Sequence, residues 1–126
     1  MDNAILIISH TEKIASGIKE LLSGFAPNVP VYAYGGTEDG RLGTNYKYIK
    51  NNVSRLEHSN FLSFYDLGSS KMGLKLLKKE MKKFNKEIMI FDVAMVEGCF
   101  FSAFSLENNG DLNTLVLELE RFKVNK

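Results

Sequence analysis

His10 stands directly after the apolar run Ala4 to Ser9. A neutral imidazole keeps a lone pair on one ring nitrogen near pH 7, so a histidine at the end of a strand is a candidate nucleophile or base. Three other places carry residues suited to holding an anion beside it: Gly35-Gly36, Asp66-Leu67-Gly68-Ser69 and Glu97-Gly98. Glycines let backbone amides come close to a ligand. A single helix N-terminus contributes only about 0.3 to 1 kcal/mol toward an anionic group, so several would have to converge to hold a phosphoryl group.

Asp66 is the candidate carboxylate to accept one imidazole N–H, fix the tautomer of His10 and stabilise positive charge as the other nitrogen bonds. Thr11 is placed to cap a helix beginning near Glu12 or Lys13, which leaves free backbone donors beside the imidazole. Gly35 to Thr44 holds four glycines in ten positions and then enters a helix. Gly35, Gly36, Gly68 and Ser69 are therefore the candidate anion-binding residues. Glu97, at the fourth strand end, is a secondary candidate; the alternative is a structural acidic group at a helix start, where such groups are favoured. His58, between Glu57 and Ser59, reads as structural.

The elements that must position these residues are set by hydrophobic period. Four apolar runs, Ala4 to Ile8, Val29 to Tyr34, Phe61 to Tyr65 and Ile88 to Val93, are continuous rather than alternating, as strands buried on both faces are. Between them lie helical stripes: Ile14, Ile18, Leu21, Leu22 and Phe25; Tyr46, Ile49, Val53 and Leu56; Leu74, Leu77, Met81 and Phe84. Alternation of this kind gives an α/β fold, an open sheet of four parallel strands flanked by helices. In such sheets the chemistry lies outside the carboxyl ends of the strands. Lys71, Lys75, Lys78, Lys79, Lys82 and Lys83 surround the third stripe as a solvated face. Cys99, Phe100, Phe101, Ala103, Phe104 and Leu106 are apolar on nearly every side, which predicts that part of this helix forms a two-fold subunit interface; the alternative is that Leu112, Leu115, Val116, Leu119 and Phe122 cover it.

The chain of 126 residues suits a single domain, 1 to 126. With 44% hydrophobic and 25% charged residues and two prolines, it has an ordinary globular composition. A formal charge of +1 gives no field that would favour nucleic acid or an acidic membrane. One cysteine, Cys99, excludes an internal disulfide and predicts a reducing cytoplasm; no apolar segment is long enough for a span. No P-loop, no Gly-x-Gly-x-x-Gly after the first strand and no Gly-x-Ser-x-Gly elbow is present. His10, Asp66 and Glu97 are too few to predict a metal site, and no cofactor is expected.

Ile8-Ser9-His10, Gly35-Gly36 with Gly43-Thr44, Asp66-Leu67-Gly68-Ser69 and Val96-Glu97-Gly98, in this order over nearly the whole chain, resemble the mannose-class enzyme IIA family. Within it they resemble the phosphotransfer subunits of phosphoenolpyruvate-dependent dihydroxyacetone kinases. The resemblance implies a homodimer and a phosphohistidine on His10, with Nδ1–H facing Asp66 and the phosphoryl group on Nε2. It implies the phosphocarrier HPr as donor, and as acceptor an ADP held on the nucleotide-binding kinase subunit. Two alternatives stay open: an enzyme IIA component of a mannose-class sugar transporter, or a regulatory domain of this fold without catalysis. The kinase branch is favoured because the 66–69 segment lacks the tryptophan and extra glycine of the transport relatives. The proline that the family often places before Val-Glu-Gly is replaced here by Ala94-Met95.

Overall fold

The apolar run after Asp2 forms the central strand β1, Asn3–Ser9, in the computed structural model, which describes residues 1–126. Strand β2, Val31–Gly35, pairs with one edge of β1, and β3, Asn60–Tyr65, with the other. Strand β4, Glu87–Ile90, continues beyond β3, so the order is β2-β1-β3-β4 and every pairing is parallel. The chain leaves β1 toward β2 and then crosses back to β3. The carboxyl ends of β1 and β3 thus flank the point where strand order reverses, the place where open α/β sheets hold their ligands.

Alternate residues of β1 feed two cores, because successive side chains of a strand point to opposite faces. Ile5 and Ile7, with Leu62 and Phe64 of β3, pack under helices α1, Glu12–Phe25, and α4, Met95–Glu107, and the short α5, Leu112–Glu118. Ala4, Leu6 and Ile8, with Phe61 and Tyr65, pack under α2, Tyr46–Val53, and α3, Ser69–Met81. A sheet covered on both faces requires the continuous apolar runs seen in the sequence. No helix is long and apolar enough to cross a membrane.

Several boundaries differ from those expected. Strand β2 begins at Val31 rather than Val29, because Val29 N–H closes a turn onto Ala26 and Pro30 has no N–H to give. Strand β4 ends at Ile90 rather than Val93: its last register pair is Ser63 with Ile90, and Val93 bridges instead to Lys123 in antiparallel sense. Phe84 lies outside the buried stripe of α3, because that helix tightens into a 3-10 turn at Lys82–Phe84 and leaves the ring 43% exposed. Of the lysines around α3, two form ion pairs: Lys78 reaches Glu87 and the Ile88 carbonyl, and Lys71 reaches Asp92. His58 is structural, its ring nitrogens bound to Tyr32 Oη and the Met1 carbonyl.

On α4, Cys99, Ser102, Ala103 and Leu106 face the core, and Phe101 packs on Phe122 from the end of the chain, centroids 5.5 Å apart. The last helix therefore covers part of the apolar excess. Val96, Phe100 and Phe104, four residues apart, form a second stripe on the outer side; Val96 and Phe104 are exposed. Phe25 of α1 meets Phe100 edge-on at 5.0 Å, and Ile14, Leu21 and Phe25 are exposed along the same side of α1. Two adjacent helices thus present one uncovered apolar face.

Gly35 is the tightest steric point of the fold. A Cβ there would lie 2.2 Å from the Thr11 carbonyl oxygen, because the end of β2 passes against the turn that leads from His10 into α1. Gly35→Ala is expected to destabilise the protein by about 1 to 3 kcal/mol, as overpacking against backbone does. Thermal denaturation of the two proteins checks this; an unchanged Tm would show that the turn yields freely.

Candidate functional site

Strand β1 ends by placing Ser9 opposite Gly35 and carries His10 just beyond the sheet. Strand β3 ends at Tyr65, whose partner is Ile8, so Asp66 emerges beside His10. The two meet through two hydrogen bonds, and a third from Ser9 completes the bracket around one carboxylate. His10 Nδ1 lies 2.9 Å from Asp66 Oδ1, the His10 backbone N–H donates to Oδ2 at 2.9 Å, and the buried Ser9 hydroxyl donates to Oδ2 at 2.9 Å. Leu67 N–H adds a fourth donor to Oδ1 at 2.7 Å, and the Ser70 hydroxyl lies 3.4 Å from the same oxygen. Burial alone would raise the pKa of this carboxyl, but the bonds from His10, Ser9 and Leu67 overcome it and hold the group at about 2. Asp66 is therefore ionised at neutral pH and can only accept hydrogen bonds. It must take the Nδ1–H of His10, which leaves the lone pair on Nε2.

That lone pair faces the start of α3. Ser69 Oγ lies 2.6 Å from Nε2, close enough for its hydroxyl to donate to the nitrogen. Gly68 caps α3 without a side-chain bond, and the N–H groups of Gly68 and Ser69 donate to no acceptor within the protein. The outward nitrogen of His10 thus meets a hydroxyl from the start of a helix that also has two free amides, donors of the kind an oxyanion or phosphoryl group requires. The His10 side chain is 23% exposed, so the nitrogen is reachable from solvent.

Thr11 caps α1 as expected, its Oγ1 accepting from Ile14 N–H at 3.0 Å. Gly35 and Gly36 lie against the first turn of α1, and Gly36 has φ +82°, a left-handed conformation natural to glycine. Their immediate role is close packing. The amides of Thr37, Gly40 and Gly43 are already given to the carbonyls of Arg41, Thr37 and His10. The last of these, 2.9 Å long, ties the loop to the backbone of His10 itself. Glu97 is exposed in the first turn of α4 and takes part in none of the bonds around His10. Gly98 is explained by packing: a Cβ there would lie 2.5 Å from Val93 Cγ2 and 3.2 Å from the Phe64 ring. Cys99 is fully buried, and burial pushes its thiol pKa up, as in an inert core cysteine.

Three participants carried no sequence signal of their own. Ser9 and Ser70 are small polar residues that gain meaning only when β1 and α3 bring them to Asp66. Lys126 arrives through the bridge of Lys123 to Val93 and the bond from Val124 N–H to the Asp92 carbonyl. Its ammonium donates to the Tyr65 carbonyl at 2.5 Å and stands 4.4 Å from the centre of the Tyr65 ring. Burial lowers the pKa of this ammonium, while the carboxylates of Asp66 and Asp92 oppose that. Asp92 in turn is held by Lys71 Nζ at 2.7 Å and by the Tyr65 hydroxyl.

A cleft of about 610 Å³ runs from Thr11 and Glu12 to the 36–42 loop and includes neither His10, Asp66 nor Ser69 in its lining. The partly exposed His10 side chain thus lies outside the lining of this cleft.

Residues 4–116 match the model of the family described as EIIA-man, PTS system fructose IIA component. The PTS-dependent dihydroxyacetone kinase, phosphotransferase subunit DhaM, of Lactococcus lactis subsp. lactis (strain IL1403) is 36% identical over 126 residues, 100% of both chains. PEP-dependent dihydroxyacetone kinase 1, phosphoryl donor subunit DhaM, of Listeria innocua serovar 6a is 29% identical over 95% of this chain and 94% of its own. The crystal structure of the unknown function protein EF1359 superposes with a TM-score of 0.85 at 29% identity, covering 99% of this chain and 98% of that one. A sigma-54 interaction domain protein from Enterococcus faecalis shares the fold, with a TM-score of 0.74 at 11% identity over 95% of this chain and 89% of its own.

Proposed function

Because the chain belongs to the EIIA-man family, we propose that it is the phosphoryl donor subunit of a dihydroxyacetone kinase, carrying the group on Nε2 of His10. The observation that carries this reading is the orientation of one imidazole: Nδ1 is bound to an ionised Asp66, and Nε2 faces Ser69 and the start of α3. The names of the full-length relatives favour the kinase branch over a sugar-transport component.

In the first step the Nε2 lone pair attacks the phosphorus of the phosphohistidine on HPr. A new P–N bond forms as the donor's P–N bond breaks, and the electron pair of that bond stays on the departing imidazole. The ring of His10 gains positive charge, which Asp66 offsets through Nδ1–H. The Ser69 hydroxyl turns from Nε2 to a phosphoryl oxygen, and the amides of Gly68 and Ser69 donate to the others. Gly35 and Gly36 let the end of β2 pack against the turn that leads from His10 into α1. In the second step a terminal phosphate oxygen of ADP on the kinase subunit attacks in line, the P–N bond breaks toward Nε2, and ATP forms. Nitrogen-bound phosphate must be held without being trapped, so neutral donors serve better than a lysine clamp. This reading places the protein in the cytoplasm, with HPr.

The test combines the phosphorylated protein with ADP-loaded kinase subunit and the subunit that binds dihydroxyacetone, and looks for dihydroxyacetone phosphate. Formation of that product is expected; transfer to a IIB protein of a sugar transporter and none to ADP would overturn the assignment.

The apolar face of Phe25, Phe100 and Phe104 belongs to the same proposal, as the interface of a two-fold homodimer. Phe104→Glu would place a charge at its centre and is expected to raise the dimer dissociation constant at least about 30-fold. Sedimentation velocity measures this; a parent protein that sediments as a monomer at micromolar concentration removes the dimer.

A further inference from the structure

The segment after the last helical turn follows a path fixed by backbone bonds. Ala94 N–H donates to the Phe122 carbonyl, Val93 bridges to Lys123, and Val124 N–H donates to the Asp92 carbonyl. These bonds guide residues 123–126 along the end of β4 to the end of β3. There the carbonyl carbon of Lys126 lies 3.3 Å from where a Cβ on Gly68 would stand, and its ammonium donates to the carbonyl of Tyr65, the residue before Asp66. Resting on the Tyr65 ring, the ammonium is held in place by a hydrogen bond and an aromatic face together.

We propose that Lys126 is a positioning residue for phosphoryl transfer, holding the 65–69 turn that presents Asp66, Gly68 and Ser69 and offsetting the negative charge that the phosphoryl group brings beside Asp66. The inference rests on the phosphohistidine reading. A phosphoryl group brings about 1.5 to 2 negative charges at neutral pH, and it arrives beside Asp66, already a carboxylate. Like charges at that separation oppose one another, so an unbalanced site would release the group too readily. The charged groups around Lys126 are Asp66 and Asp92, with Lys71 already committed to Asp92. Lys126 is thus a cation directed at the backbone of the turn and free of a direct ion pair, while Lys71 neutralises Asp92.

Lys126→Met keeps the apolar stem against Tyr65 and removes the charge; Lys126→Arg restores it. With phosphoryl groups equilibrated between HPr and this protein, Lys126→Met is expected to lower the phosphorylated fraction, reducing the equilibrium constant about 3- to 10-fold, and Lys126→Arg to recover most of it. The difference between parent and Lys126→Met should shrink as salt is added. An equilibrium constant unchanged in Lys126→Met, or one that Lys126→Arg fails to restore, would overturn the proposal. A second readout needs no phosphoryl donor: carboxyl ¹³C NMR should show Asp66 titrating at higher pH in Lys126→Met and returning in Lys126→Arg. If the parent takes no phosphate at all, the phosphohistidine reading has failed, and the carboxyl titration alone decides for or against Lys126.

Discussion

His10→Ala is expected to take up no phosphate when incubated with phosphoenolpyruvate, enzyme I and HPr, whereas the parent protein becomes labelled with an acid-labile, base-stable phosphate. The effect should be complete rather than partial, because no second nucleophile is at hand: Ser69 has no base other than His10, Ser9 and Ser70 would keep only Asp66, a carboxylate held at about 2 and so a weak base, and His58 is bound through both nitrogens on another part of the fold. Dihydroxyacetone phosphorylation through the reconstituted relay should fall by more than about 1,000-fold, the scale on which removal of a nucleophile is felt. The fold should persist, since the His10 ring lies at the rim and its backbone N–H still reaches Asp66. Label remaining in His10→Ala would move the chemistry elsewhere.

The second large effect is that of Asp66→Asn. A carboxylate accepts on both oxygens, and here it receives Nδ1–H, the His10 N–H, the Ser9 hydroxyl and the Leu67 N–H. An amide cannot accept on both sides. If its oxygen keeps the imidazole, its NH2 confronts the Ser9 hydroxyl and the His10 N–H; if it flips, its NH2 faces Nδ1 and drives the proton to Nε2, removing the lone pair that must attack. Transfer should therefore slow about 100- to 10,000-fold, the upper figure being what a wrong histidine tautomer costs a hydrolytic triad. Rapid-quench measurement of transfer from HPr checks this, and a rate within 3-fold of the parent would remove Asp66 from the mechanism.

Asp66 also sets a pH dependence. Its carboxyl is held at about 2 in the folded protein, below the ordinary value near 4 for an unfolded chain. A depressed folded value means stability that is present above about pH 4 and is lost as pH falls toward 2. After allowing for solvent screening, the loss is on the order of 1 to 2 kcal/mol. Asp66→Ala should be less stable throughout, because the buried Ser9 hydroxyl and two backbone N–H groups lose their acceptor, at about 1 to 3 kcal/mol. Its denaturation midpoint should also vary less between pH 4 and pH 2 than that of the parent.

Much of this arrangement is legible along the chain, for identifiable reasons. Residues Ala4 to Ile8 are apolar without interruption because β1 is central and covered on both faces, and a central strand delivers the residue beyond its end to the switch point. His10 and Asp66 are thus predictable as neighbours without any distance. Thr11 announces its cap by type and place. The fourth strand end is less legible. Glu97-Gly98 has the same acidic and glycine signature as Asp66 to Gly68, but Gly98 exists to let α4 lie on Val93 and Phe64. Sequence shows that a glycine is needed, not whether a ligand or a neighbouring side chain needs the space. The Gly35-Gly36 pair carries the same ambiguity, and its contact with Thr11 settles the steric half. Lys126 is invisible because its position depends on an antiparallel bridge between residues thirty apart in sequence, Val93 and Lys123, and no local period encodes that.

The same bridge bears on how the protein should be handled at the bench. Met1 lies at the amino edge of the sheet, where Asp2 accepts from Ser59 and Asn60, while residue 126 lies at the carboxyl edge beside Gly68. The seven residues of β1 separate the two edges, about 20 Å at strand rise. An affinity tag or fluorophore joined before Met1 would project away from the histidine, whereas one joined after Lys126 would emerge beside Gly68, at the rim of the proposed phosphoryl site.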